Sequence, residues 1–113
     1  MKPGDVVLIR FPQADLKVGK LRPALVVAVT PGNHADLLLV MISSRTYQAV
    51  PDFDEVIDQS DGDYATSGLK VPSVVRLTRI ATVAPSVINA RLGNISPERL
   101  QEIKNRLSEW LRN

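Results

Sequence analysis

Apolar residues come in short dense bursts through the first two-thirds of the chain and then change to a helical stripe near its end. Residues 6–11 form the first burst, opened by a Gly4-Asp5 turn signal. Residues 23–30 are almost continuously apolar, the pattern of a strand covered on both faces. Pro31-Gly32-Asn33-His34 is turn chemistry, so the strand predicted over residues 35–43 returns antiparallel to its predecessor. The polar segment 12–20, which contains Gly19, predicts a loop. Residues 53–57 predict a short edge strand with its charges facing water. Residues 58–67, rich in Asp, Gly and Ser, predict a second loop. Residues 69–71, 74–77 and 80–83 read as strands broken by Pro72 and Thr78, and 87–92 fits either a strand or a short helix.

The last segment carries a different period. Ser96 suits an N-cap, Pro97 a first helical turn, and Glu98 the positive end of a helix dipole. Leu100, Ile103, Leu107, Trp110 and Leu111 then share one stripe, while Glu102 and Arg106 are spaced to pair on the opposite side. Many short strands followed by one amphipathic helix predict a mainly β single domain over residues 1–113, a strongly bent sheet with the helix laid across it. The stripe assigns Trp110 to core packing.

Composition narrows the chemistry. With 113 residues and 44% hydrophobic content the chain supports one real core. No eighteen-residue apolar run is present, so no membrane span is expected, and the start lacks an apolar signal region, which points to the cytoplasm. Cysteine is absent, which excludes disulfides, a thiol nucleophile and Cys-based zinc sites. The single histidine, His34, lies in a turn where exposure is expected, and it rules out a two-histidine acid–base ribonuclease within one subunit. The net charge of +2 hides an asymmetry. Six of the twelve acids fall between Asp52 and Asp63 with no base among them, so all fourteen Lys and Arg lie elsewhere. A basic body with one acidic loop fits either a nucleic-acid surface or an ordinary solvated exterior. The acidic segment lacks the alternating ligands and terminal glutamate of a calcium loop, and no metal is expected there.

The segment Gly19-Lys20-Leu21-Arg22-Pro23-Ala24-Leu25-Val26-Val27 is the richest in implication. A basic loop enters an apolar strand, and Pro23 biases Arg22 toward an extended conformation at the strand mouth. An arginine so placed offers a permanent charge and a planar donor fork to a phosphate. On residue pattern alone, an edge salt bridge is an equal reading. Ser43 ends another apolar strand, where its hydroxyl needs a partner; on pattern alone a backbone hydrogen bond explains it.

The order G-D-V-V, then G-K-L-R-P-A-L-V-V, then M-I-S-S resembles the PemK/MazF family of toxins from bacterial toxin–antitoxin pairs, over most of the chain from about Pro3 to the final helix. The resemblance implies an SH3-like small barrel with a C-terminal α-helix. It implies a metal-independent endoribonuclease that cleaves single-stranded messenger RNA, works without a cofactor, forms a homodimer and is held inactive by a cognate antitoxin. It carries the catalytic arginine onto Arg22 and its hydroxyl partner onto Ser43, with Ser44 as the neighbouring alternative. Many members have Thr at this place; Ser keeps the hydroxyl and loses the methyl that stiffens χ1.

Lys17, Lys20, Ser44, Arg45, Arg76 and Arg79 are candidates for RNA contacts. Lys17 and Lys20 precede Arg22 on the same loop, and Arg45 follows Ser43. Arg76 matches the basic residue of the family's D-Q-V-R pattern, although Pro72-Ser73-Val74-Val75-Arg76 lacks the D-Q. Each lysine or arginine reads equally as a solvated charge. A gyrase-poisoning toxin shares this barrel and uses a tryptophan near its C-terminus, so a non-enzymatic toxin directed at a protein is the alternative. A barrel that binds RNA or protein without toxicity is the third reading.

Overall fold

The computed structural model describes residues 1–10 and 20–113; the expected loop over residues 12–19, including Lys17, lies outside them. In chain order the described elements are β1 (Asp5–Arg10), β2 (Leu21–Val29), β3 (Leu37–Ser43), β4 (Glu55–Ile57), α1 (Tyr64–Ser67), β5 (Ser73–Val83), β6 (Ala90–Asn94) and α2 (Pro97–Arg112). Two 3₁₀ turns, Thr46–Gln48 and Pro85–Val87, interrupt the connections. The strands form one antiparallel sheet in the order β4-β5-β3-β2-β1-β6. Register shifts at Val6/Val7, Val26/Ala28 and Val40/Met41 bend the strands, and the sheet curls into a half-barrel. No helix among the described residues is long and apolar enough to cross a membrane.

Alternation along the strands explains the nearly unbroken apolar runs. Val6, Leu25, Val40, Ile42, Val75 and Leu77 face a core closed by Ile103 and Leu107 of α2. Val7, Ile9, Ala24, Val26 and Leu39 build a second buried cluster. β1, β2 and β3 are therefore buried on both faces, which removes the usual polar alternation.

The two broken strands predicted around Thr78 are one strand, β5. Its partner register jumps from Met41↔Arg76 to Val40↔Ile80, leaving Leu77, Thr78 and Arg79 as an extended bulge. Asp54 explains how the bulge is tolerated. Its buried carboxylate accepts the Leu77 N–H at 3.0 Å, replacing a ladder bond that the bulge withdraws, and also accepts the Val50 N–H at 2.9 Å from the connection before β4. Residues 69–71, predicted as a strand, form an irregular segment instead, and the ambiguous 87–92 stretch divides between a 3₁₀ turn and β6.

The acidic segment also departs from expectation. β4 is an edge strand, but its charges do not simply face water. Arg99 of α2 clasps Asp63 through two hydrogen bonds, Nε to Oδ2 at 2.8 Å and Nη2 to Oδ1 at 3.1 Å. The same guanidinium reaches Glu55 Oε1 at 3.2 Å, the Val56 carbonyl at 3.1 Å and Asp61 at 3.3 Å. Arg106 adds the carbonyls of Phe53 and Asp54, both at 3.0 Å, and Glu55 Oε2 at 3.0 Å. Within the predicted loop 58–67, the residues after Asp63 wind into α1.

Helix α2 begins where its sequence indicates. Ser96 Oγ accepts the Arg99 N–H at 3.1 Å, and Arg106 donates to Glu102 at 3.1 Å across one turn. Its apolar stripe is only partly covered. Ile103 and Leu107 are buried, whereas Leu111 is 70% exposed. Trp110 is 40% exposed rather than core, with its ring edge-on to Phe53 at a centroid separation of 5.6 Å.

Burial pushes the Asp63 carboxyl up, but hydrogen bonds from Arg99 and the Ser96 N–H, with the Arg99 charge, outweigh it and hold the group below its ordinary value. The ionised carboxylate therefore adds stability that is complete above about pH 4 and is lost as pH falls further. Thermal melting should show this as a steep loss in acid that becomes shallower in Asp63→Asn, the residual slope coming from Asp5 and Asp58, whose carboxyls are also depressed. An unchanged acid slope in Asp63→Asn contradicts the assignment. Arg99→Ala, which leaves a buried carboxylate unpaired, should cost about 3–5 kcal/mol.

Candidate active site

The strand carrying Arg22 is placed by two ladders. Arg22 pairs with Ile9 of β1, and two residues further on Ala24 pairs with Met41 of β3. Continuing that antiparallel register brings Arg22 opposite Ser43, on one face of adjacent strands. Residues so opposed have Cβ atoms about 4.5–5.5 Å apart. Ser43 is itself held from the other side by its pairing with Val74 of β5. Two residues far apart in sequence are thus neighbours because three strand registers agree.

Both residues line a cleft of about 330 Å³ at the end of the sheet. Arg22, Ser43 and Ser44 lie along one wall with Leu21, Pro23 and Ile42. The facing wall is formed by residues 68–71 together with Leu92 of β6. Among the described residues its lining contains two cations, Arg22 and Lys70, and no carboxylate. Arg22 is half-buried, and among the described residues its guanidinium has no hydrogen-bond or ion-pair partner. The edge salt bridge left open by the sequence is not formed there.

Ser43 is buried, with 8% exposure, and its Oγ accepts the Arg45 N–H at 3.1 Å. The backbone bond expected of a strand-end serine is present, yet it uses only the acceptor side of the hydroxyl. The O–H proton remains available to an oxygen in the cleft. Ser44 is exposed on the same wall, so its hydroxyl is less constrained. One rigid hydroxyl and one guanidinium converge from neighbouring strands, an arrangement suited to a tetrahedral anion.

The other candidates separate in space. Lys20 and Arg45 are exposed residues flanking Arg22 and Ser43 in sequence, outside the cleft lining. Arg76 also lies outside the lining. Its Nη1 donates to Gln48 at 3.0 Å and its Nε lies 3.4 Å from Asp54. Arg79 is exposed on the β5 bulge, away from the lining. His34 is exposed in the β2–β3 turn. Lys70 was not singled out by sequence, because residues 69–71 read as an ordinary strand. The informative signal is Gly68 followed by a basic residue and then Pro72, which marks a helix end and a fixed loop.

The facing wall is held tightly against β6. Gly68 caps α1 at φ 74°, in the left-handed region, and a Cβ there would lie 2.2 Å from the Leu92 carbonyl oxygen. A Cβ on Gly93 would lie 2.0 Å from the Thr66 carbonyl oxygen. Backbone packs on backbone, and neither position accepts a side chain without moving the wall.

A second, larger cleft of about 660 Å³ lies between β4, α1 and the start of α2, lined by Glu55, Asp61, Asp63 and Arg99 among others. Its charged groups are committed to one another in the ion cluster described above. It contains no free pairing of nucleophile, donor and cation comparable with that of Arg22 and Ser43.

Among solved structures, the fold is similar to an endoribonuclease in complex with its cognate antitoxin from a mycobacterial species, with a TM-score of 0.70 and 17% sequence identity, covering 99% of this chain and 95% of that one. No curated protein matches the chain in sequence. The family described as PemK-like, MazF-like toxins of type II toxin–antitoxin systems matches residues 2–111. With the family's match running through the Arg22 strand, the Ser43 strand and the terminal helix alike, this chain belongs to the PemK-like, MazF-like toxins of type II toxin–antitoxin systems.

Proposed function

We propose that the protein is a metal-independent endoribonuclease that cleaves single-stranded messenger RNA at the Arg22–Ser43 cleft, as the toxin of a pair with a cognate antitoxin. The observation that carries this reading is that an arginine and a half-free serine hydroxyl, on opposed positions of neighbouring strands, line one cleft in which the described residues offer the arginine no partner and no carboxylate. The structural neighbour named as an endoribonuclease supports it.

The ribose 2′-oxygen attacks the adjacent phosphorus and the bond to the 5′-oxygen breaks, leaving a cyclic phosphate and a free 5′-hydroxyl. The 2′-hydroxyl proton passes to water and the departing oxygen takes a proton from water, as no imidazole or carboxylate is found among the described residues lining the cleft. Arginine hardly deprotonates and is no general base. Arg22 instead donates two hydrogen bonds to the non-bridging phosphoryl oxygens, and Ser43 donates a third, where negative charge grows in the transition state. The nucleophile is supplied by the substrate, so a metal-activated water is not required. Single-stranded RNA is the substrate that exposes such a phosphate with unstacked bases. Lys20, Ser44 and Arg45 flank these groups and extend contact along the backbone. The functional unit is a homodimer, as family membership suggests, and the compartment is the cytoplasm.

Three outcomes are expected. Cleavage of a long RNA should continue in excess chelator; complete loss on chelation, restored by magnesium, would rule out the 2′-hydroxyl route. Arg22→Lys keeps the charge but loses the planar fork, so it should approach Arg22→Ala, with cleavage lowered roughly 10²–10³-fold and the melting temperature retained. A folded Arg22→Ala protein that cuts at the wild-type rate removes Arg22 from the mechanism. Finally, an acidic antitoxin segment should compete with a non-cleavable RNA for this cleft, and its affinity should fall as salt rises. Equal antitoxin affinity for free and RNA-saturated toxin contradicts a shared site.

A further inference from the structure

The cleft has a second cation that the proposed chemistry leaves unused. Lys70 lines the same cleft as Arg22 from a different segment of the chain, is exposed, and has no hydrogen-bond or ion-pair partner among the described residues. The segment that carries it is braced at both ends. Before it, Ser67 Oγ donates to the Tyr64 carbonyl at 2.6 Å and accepts the Leu69 N–H at 3.2 Å, closing the end of α1. After it, Ser73 Oγ donates to the Val71 carbonyl at 2.9 Å, and Pro72 restricts the backbone between them. The contact of Gly68 with the Leu92 carbonyl pins the same segment to β6. A flexible ammonium is thus presented from a rigid base.

From this geometry we infer that Lys70 holds an RNA phosphate next to the one at Arg22, so that the strand crosses the cleft from wall to wall. The inference rests on the reading of the cleft as an RNA site and adds the direction in which the strand lies. Three features support it. A polyanion with regularly spaced phosphates meets a second cation whenever it spans a cleft with cations on both lips. The rest of the described lining is largely aliphatic, with Leu21, Leu69 and Leu92 among it, and suits the uncharged sugar and base that separate two phosphates. The two acids nearest Lys70 in sequence, Asp61 and Asp63, are partly neutralised by their pairing with Arg99. Lysine, as a point charge on a flexible stem, suits holding a phosphate without imposing the planar geometry required at the reacting one.

The test uses the full chain and two probes: a cleavable single-stranded RNA, and the same RNA with a 2′-deoxy nucleotide at the cut. Lys70→Ala and Lys70→Gln should each weaken binding of the non-cleavable RNA about 2–5-fold. Each should lower the slope of log affinity against log salt by about 0.7, the loss of one phosphate contact on a single strand. KM should rise in proportion while kcat is unchanged, and Lys70→Arg should restore both affinity and slope. A purely structural role for Lys70 would lower the melting temperature and leave the salt slope alone. Wild-type affinity and slope in a folded Lys70→Gln protein overturns the inference, as does a fall in kcat at constant KM. Weakened antitoxin binding with RNA binding untouched also overturns it, since the lysine would then serve the protein partner. A wild-type protein that binds RNA with the expected slope but does not cut it ends the catalytic reading and leaves the Lys70 contact standing. Absence of RNA binding by the wild type removes both.

Discussion

The charge cluster around Arg99 is the constraint from which the site's geometry follows. Asp63, Glu55 and Asp61 come from one acidic stretch, and Arg99 from a helix more than thirty residues later. Burying any of these groups alone would carry a large desolvation cost, so each holds the others in place. An ion pair of this kind adds little net stability over a well-packed apolar contact. Its distinctive property is that few other arrangements satisfy it, which makes it an anchor of register. Asp63 also accepts the Ser96 N–H at 3.0 Å, so the start of α2 and the end of the acidic segment, immediately before α1, meet at one carboxylate.

That anchor has an electrostatic consequence at a distance. An acidic stretch beside a cleft for polyanions would be a liability if it were solvated and mobile. Here Glu55, Asp61 and Asp63 of that stretch are paired with arginines of α2. Asp54 is spent in the same manner, satisfying the N–H of Leu77 at the β5 bulge and lying beside Arg76. The cleft therefore retains Arg22 and Lys70 with no nearby counter-charge in its lining. A half-buried arginine that finds no partner among the described residues is unfavourable there, and such local disfavour fits the proposed reading, in which a ligand's charge completes the site.

The cleft combines two kinds of support. Arg22 and Ser43 stand at the ends of strands whose registers are set by buried apolar residues on both faces, so neither has much freedom of position. The opposite wall is irregular chain, but its backbone touches β6 closely enough that glycine is required on both sides. On the proposed reading, a strand-borne pair beside a braced loop keeps the reacting groups rigid while the rest of the cleft accommodates substrate.

Local signals in the sequence determined a good deal. The apolar bursts located β1, β2 and β3, the Pro-Gly-Asn turn implied the antiparallel return, and Ser96-Pro97 marked the start of α2. The R-P-A-L-V-V run placed Arg22 at a strand mouth, and the family likeness chose Ser43 to accompany it. Only the folded chain decided which charges are spent and which are free. Arg76 and Arg22 look alike in sequence, but one meets Asp54 and Gln48 and the other meets no described partner. Asp63 looked like a solvated loop residue until a helix thirty-six positions away supplied its partner. Lys70 looked like part of a strand until Gly68 and Leu92 set it on a cleft wall. The physical reason is range. Periodicity, caps and turns act over a few neighbouring residues, whereas the partner of a charge depends on which distant segments the sheet registers and helix docking bring together.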